Sequence, residues 1–390
     1  MRVLLLFSAI GCLIVRSGLA PAHSPLSGPL QSHVDSLLSP LIPPNGPGAA
    51  ILVKKGGTIV LEKGYGVRDL HSQQPIDQST DFRLASFTKQ FTAMAIMLLI
   101  HDGKLHYDDS LTGIFPEFPA YGKHITIRNL LSHTGGLPDY EELMDREERQ
   151  GGPRWTREHQ IQDQEVLKLL EAQPTGKFAP GTQWDYSNSG YVVLGLVVAK
   201  ISGMPYRDFL HQRIFAPLKM NHTLVYQSGI NIIPNRAFGH SPENRELVAN
   251  DQSSTSATLG DGGIYSNISD LARWDDALAN HTLLSPTEMQ PAFTPAKLAD
   301  GSEPRWPRDP NTNKPGDPPA PVLYGFGWFL DPYEGHAREH HDGSTQGFRT
   351  TIQRFITDHV TIVILCNRDD LNPEDLSLKI ASFVLPPPTP

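Results

Sequence analysis

The alternation of apolar and polar positions divides the chain into strand-like ends and a helix-like middle. Residues 28 to 41 carry apolar positions at helical spacing and predict a short amphipathic helix. AAILVKKGGTIVLEKGYGV (49 to 67) gives two β-rich runs around Gly56 and Gly57, which predicts a hairpin. Helical patterns then take over: the apolar run after Ser86, EVLKLLEAQ (165 to 173), SGYVVLGLVVAKISG (189 to 203) and YRDFLHQRIFAPL (206 to 218). SDLARWDDALAN (269 to 280) adds another, with Ser269 and Asp270 as candidate N-caps. Strands return in YGFGWFLD (324 to 331), TTIQRFI (350 to 356) and VTIVILCN (360 to 367), and PEDLSLKIASFVL (373 to 385) predicts a closing helix. This order predicts an α/β (α+β) fold, an antiparallel sheet built from both ends of the chain and flanked by helices, with an α-rich insertion over roughly 100–320. The stretches 145 to 160 and 298 to 321 read as surface loops, each with a tryptophan (Trp155, Trp306) able to rim a pocket.

The beginning of the chain follows a different pattern. Arg2, an apolar stretch to Val15 and small residues around Ala20-Pro21-Ala22 have the layout of a secretory signal cut after Ala22. Residues 1–22 are then a signal peptide and 23–390 the mature domain, in a secreted or periplasmic protein. The apolar stretch is short for a membrane anchor, so no transmembrane segment is expected in the mature form. Cys12 after Gly11 leaves lipoprotein anchoring as the lesser alternative, since apolar residues continue past it. Once Cys12 is removed only Cys366 remains, which forbids an internal disulfide, and in TIVILCN it reads as a buried strand thiol.

Composition narrows the class. A hydrophobic content of 39% with 34 prolines and 33 glycines suits a loop-rich globular protein. A net charge of −9 without any basic stripe argues against nucleic acid as a partner. Nothing in the sequence speaks to oligomeric state.

LASFTKQFTA (84 to 93) places Ser86 three residues before Lys89 at the head of an apolar run. On an α-helix residues three apart share a face, so the two side chains meet. A serine hydroxyl is a poor nucleophile until something takes its proton, and a neutral lysine amine does so. Lowering a lysine pKa by about three units represents roughly 4 kcal/mol of differential interaction, within reach of burial in that run. The S-x-x-K pattern alone arises often by chance; two further stretches give it weight. FAPGTQWDYSNSGYVVLG (178 to 195) presents Tyr186 and Asn188 in a loop before an apolar helix. A phenol beside an ammonium relays a proton, and Asn188 can donate to a substrate carbonyl or hold the lysine. EHHDGSTQGFRTTI (339 to 352) puts His341 in a loop leading into a strand, with Gly343 and Gly347 allowing a ligand close to the backbone.

In their order along the chain these stretches resemble the serine β-lactamase and penicillin-binding-protein superfamily, in its class C-like branch of D-alanyl-D-alanine carboxypeptidases and esterases. ITIRNLLSHTGGLPDY (125 to 140), GDGGIYSNISDLARW (260 to 274) and YGFGWFL are similar to further parts of that pattern. The resemblance implies Ser86 as the acylated nucleophile, Lys89 as its proton partner and Tyr186 as acid/base for the leaving group and then for water. It implies that Asn188 orients the acyl side chain, that His341, Gly343 and Ser344 line the substrate, and that the backbone N–H groups of Ser86 and Ser344 form an oxyanion hole. No cofactor and no metal are implied, and the partner is a small-molecule or short-peptide acyl substrate: an ester, an amide or a D-amino-acid peptide.

The chain departs from the pattern at His341, which stands where β-lactamases usually carry the lysine of K-T-G. Histidine is near-neutral at pH 7 and better as a hydrogen-bond donor, so the resemblance leans towards esterase, peptidase or amidase activity and away from efficient β-lactam hydrolysis. Arg349 is the alternative source of positive charge. Tyr-Ser-Asn occurs twice, at 186 to 188 and 265 to 267; the second falls where the family has a structural turn, so Tyr186 is the expected acid/base. Among rivals, His336 and His340 are four apart, yet there is no H-E-x-x-H and the context is turn-like, so a metal site is not expected. G-x-S-x-G is also absent. A binder or single-turnover sensor of peptidoglycan or β-lactams is the runner-up.

Overall fold

A computed structural model describes residues 27–307 and 320–387. The expected signal peptide and Cys12 lie outside the described residues. The strands are β1 (Ala49–Lys55), β2 (Thr58–Tyr65), β3 (Phe82–Arg83), β4 (Leu224–Val225), β5 (His240–Glu243), β6 (Glu246–Ala249), β7 (Ile264–Ser266), β8 (Arg338–Thr345), β9 (Phe348–Phe355) and β10 (Val360–Cys366). The helices are α1 (Ser27–Leu38), α2 (Lys89–His101), α3 (Leu111–Ile114), α4 (Ile127–Leu131), α5 (Tyr140–Arg149) and α6 (Asp163–Glu171). They continue with α7 (Asn188–Ser202), α8 (Tyr206–Leu210), α9 (Ile268–Ala279), α10 (Pro286–Met289) and α11 (Pro373–Val384).

The expected antiparallel sheet from both ends of the chain is present, in the order β2-β1-β10-β9-β8. Both of its faces are covered, which is why β1 and β10 read as unbroken apolar runs. Ala49, Ile51 and Val53 join Ile362, Ile364 and Cys366 beneath α1 and α11. Ala50, Leu52, Val363 and Leu365 face the other way, into the core built on α2, α7 and α9. Helix α2 is buried from Lys89 through Leu99, so it is apolar all round and carries no solvent face. Cys366 is a free, buried thiol, as its apolar strand suggested.

Several expectations are corrected. The stretch 324 to 331 makes isolated bridges only, Tyr324 to Phe329 and Phe329 to His340. Its glycines bend it: Gly327 has φ +79°, and Gly325 packs so closely that a Cβ would lie 1.9 Å from the Ala292 carbonyl oxygen. His341, expected in a loop, lies inside β8. The letters REHHDGST conceal a strand because its charges are met by distant partners: Arg338 by Asp331, and Glu339 by Arg354, which also holds Asp275. Helix α9 is capped by Asn267 and not by Ser269 or Asp270. The helix from Tyr206 ends at Leu210 and continues as a π turn to Phe215. Of the loop tryptophans, Trp155 is buried in the main core, whereas Trp306 packs on Trp184 beside Tyr186. No single helix among the described residues is long and apolar enough to cross a membrane.

Candidate active site

Ser86 sits on a 3-10 turn, Ala85–Thr88, and Lys89 opens α2 directly behind it. Three residues per turn eclipse positions i and i+3, which aligns the two side chains more closely than the α-helix expected from the sequence. Ala85 holds φ +50°, a left-handed conformation costly for a residue with a side chain, directly before the serine.

The Lys89 ammonium position is completely buried and makes three contacts: Ser86 Oγ at 3.0 Å, Asn188 Oδ1 at 2.9 Å and the Asp261 carbonyl oxygen at 3.1 Å. Asn188 Oδ1 and the Asp261 carbonyl can only accept. A neutral amine fills both with its two N–H bonds and turns its lone pair to the Ser86 hydroxyl. Burial lowers the Lys89 pKa to about 8, against the opposing pull of the Asp261 and Glu141 carboxylates. Its place at the positive end of α2 acts in the same direction.

Tyr186 lies against this pair. Its ring centre is 4.9 Å from Lys89 Nζ. Burial pushes its phenol well up, while contact with the Ser86 hydroxyl pulls the other way. At this pH range it is a proton-bearing acid.

His341 donates from Nδ1 to the Asp342 carbonyl oxygen at 2.7 Å, which leaves Nε2 to accept from the Tyr324 hydroxyl at 3.2 Å. Burial, and next the Lys89 charge, push its pKa down to about 3, so the ring is neutral. Its free lone pair is thus already engaged, and it presents no cation. Gly343 explains how β8 reaches the nucleophile: a Cβ there would lie 2.0 Å from the Leu84 carbonyl oxygen and 2.2 Å from Thr350 Oγ1. Ser344 follows it in β8, exposed and opposite Arg349. Arg349 spends one arm of its guanidinium on the carbonyls of Thr345 and Phe348, within its own turn.

Tyr265 lies elsewhere, in β7, where its hydroxyl meets Arg236 at 3.1 Å and Gln252 at 3.3 Å.

Three residues escaped the sequence reading. His133, with φ +60°, accepts the Ser187 N–H on Nδ1 at 3.1 Å and the Asp185 N–H on its carbonyl at 3.0 Å. It therefore clips both neighbours of Tyr186, with the two rings 4.4 Å apart. Burial pushes its pKa well down, so it serves as a neutral brace. Tyr324 orients His341, and the Asp261 carbonyl orients Lys89. All three lie in stretches already similar to the family pattern, 125 to 140, 260 to 274 and 324 to 330, but nothing local in those letters marks their tasks.

Residues 41–384 match the Beta-lactamase family. Penicillin-binding protein 4* of Bacillus subtilis is 30% identical over 370 residues, covering 91% of this chain and 76% of that protein. The penicillin-binding protein from Bacillus halodurans superposes with TM-score 0.71 at 25% identity, covering 91% of this chain and 98% of that one. The D-amino acid amidase from Ochrobactrum anthropi SV3 shares the fold with TM-score 0.73 at 22% identity, over 91% and 99% of the two chains. By its sequence and its fold alike, the chain belongs to the beta-lactamase family of serine hydrolases.

Proposed function

We propose that the chain is an exported serine hydrolase working through an acyl-enzyme on Ser86. The observation that carries this reading is the Lys89 amine, buried and held by two acceptors so that its remaining hydrogen-bond position falls on Ser86 Oγ. Neutral Lys89 takes the hydroxyl proton as Oγ attacks the acyl carbon. The charge that develops on the carbonyl oxygen falls to the backbone N–H groups of Ser86 and Ser344. Collapse of the tetrahedral adduct needs a proton on the leaving group. Tyr186 supplies it and is refilled from the Lys89 ammonium, so one proton travels from serine to leaving group. Water then enters where the leaving group was, and the same groups pass its proton back to Ser86 Oγ. Asn188 holds the amine and orients the acyl side chain, while His341 and Gly343 line the other wall. The scheme needs no cofactor.

A neutral His341 favours an ester, amide or D-amino-acid peptide over a donor anchored by its carboxylate. Export follows from the first 22 residues, and the helical insertion over about 100–320 forms the second wall of the cleft. The test is a panel of short-chain p-nitrophenyl esters, D-amino-acid amides and a chromogenic cephalosporin, read for burst and steady state, with Ser86→Ala alongside. Steady turnover lost in Ser86→Ala is the expected result. One equivalent released without turnover means a single-turnover sensor; no release from any donor sinks the reading.

A further inference from the structure

Alternation along β8 turns His341 and Gly343 towards the nucleophile and Arg338, His340 and Asp342 towards the opposite face. There α11 begins, with Glu374 in its first turn. His340 is only 6% exposed. Its Nε2 lies 2.7 Å from Asp331 Oδ1, so the ring donates to that carboxylate and, in its neutral tautomer, offers a lone pair on Nδ1. Neither that Nδ1 nor Oδ1 of Asp342 has a hydrogen-bond partner among the described residues, and both atoms are shut off from solvent. One ligand atom each from His340, Asp342 and Glu374 lies within 4.8 Å of the other two. Three possible ligand atoms thus converge, and beyond the Thr351 hydroxyl that reaches the Asp342 carboxyl, two of them are buried without a hydrogen-bond partner, a lack that a cation standing between them relieves. Arg338 does not fill the gap. Its guanidinium is committed to Asp331 and to Gln353 at 3.2 Å, and it approaches Glu374 only to 3.6 Å.

We propose that His340, Asp342 and Glu374 form a binding site for a divalent transition-metal ion, Zn2+ by the choice of ligands. One imidazole nitrogen and two carboxylates suit Zn2+, whereas Ca2+ and Mg2+ take oxygen ligands. Asp331 plays the part that carboxylates commonly play behind a metal-binding histidine, fixing ring orientation and tautomer. Glu374, with its side chain 39% exposed, leaves an entry path for the ion. The site pins the start of α11 to the strand that carries His341, on the side away from Ser86. The pair of histidines four apart is not the ligand set, because His336 Nδ1 is bonded to Asp358 at 2.8 Å. The ligands come instead from a strand and a helix more than thirty residues later, which no local spacing reveals.

The proposal stands apart from the acyl chemistry and is read without substrate. An untagged mature chain is stripped with EDTA, titrated with Zn2+ by calorimetry and assayed for bound metal by mass spectrometry. The expected result is one Zn2+ per chain and a melting midpoint raised by roughly 3 °C or more at saturating ion. Affinity falls at least about tenfold in His340→Ala and in Glu374→Gln. Should His340→Ala fail to fold in EDTA, Asp342→Asn and Glu374→Gln decide the matter. Absence of saturable binding overturns the proposal, and so does wild-type affinity in any folded variant of these ligands, since the chain has 16 histidines that could hold Zn2+ elsewhere.

Discussion

The tripeptide Tyr-Ser-Asn appears twice, and the two copies have been put to different uses. At 186 to 188 the serine caps α7 by accepting the Gly190 N–H at 3.0 Å, so Asn188 becomes the first helical residue and its side chain is free to reach Lys89. At 265 to 267 the tyrosine and serine end β7, and the cap moves one place on to Asn267, whose Oδ1 accepts the Asp270 N–H at 2.9 Å. Its Nδ2 is spent on Asp81, also at 2.9 Å. Both phenols are pushed up by burial, Tyr265 to about 12. They differ in company: an amine and a hydroxyl beside Tyr186, a guanidinium and an amide beside Tyr265. A shift of one residue in which side chain caps the helix separates an asparagine that holds the Lys89 amine from one that holds a helix end.

The two copies part most clearly at the tyrosines. Tyr186→Phe is expected to lower kcat by about 10^2 to 10^4-fold, whereas Tyr265→Phe leaves turnover within about twofold and costs roughly 1 kcal/mol in urea unfolding. The reverse outcome would transfer the acid/base role to the second copy. Next in size come the asparagines. Asn188→Ala loosens the amine and costs about tenfold to a hundredfold in kcat/KM, while Asn267→Ala loses a cap and strands the buried Asp81, costing roughly 1–3 kcal/mol of stability. Steady-state kinetics and denaturant titration on the same two variants should give opposite patterns. The pH profile of kcat/KM sharpens the reading further. On the proposed mechanism the working form of Lys89 is the neutral amine, and burial lowers its pKa to about 8, so the rate is expected to fall about tenfold per pH unit below that value and to level above it. A profile flat down to pH 6 would mean another base. The smallest effect is expected at the first cap, where Ser187→Ala costs about 1 kcal/mol.

What the sequence made legible follows from where partners lie. Apolar runs such as 94 to 100 declare a buried helix by themselves, and S-x-x-K declares a pair whose members are adjacent in the chain. Strand β8 was visible only through the resemblance of HDGSTQGFRT to the family's final strands, because its polar letters make sense by themselves only with Asp331, Arg354 and Glu374 in place. The aromatics of 324 to 331 imitate a strand, but the left-handed backbone at Gly327, φ +79°, breaks the extended run. His133 was unreadable for the same reason as β8: its task, bracing Tyr186, joins segments more than fifty residues apart.

Residue 49 pairs with residue 366, so the first strand of the sheet waits for the last of the described strands. While a ribosome is still at work, the hairpin of β1 and β2 has emerged with one edge open, and such an edge invites pairing with other chains. Over the same interval Ser86 and Lys89 already exist but the strand bearing His341 and Ser344 does not. On the proposed function, a nascent chain is therefore inert towards acyl donors until β8 has been made, and its exposed edge is covered only when β10 pairs with β1.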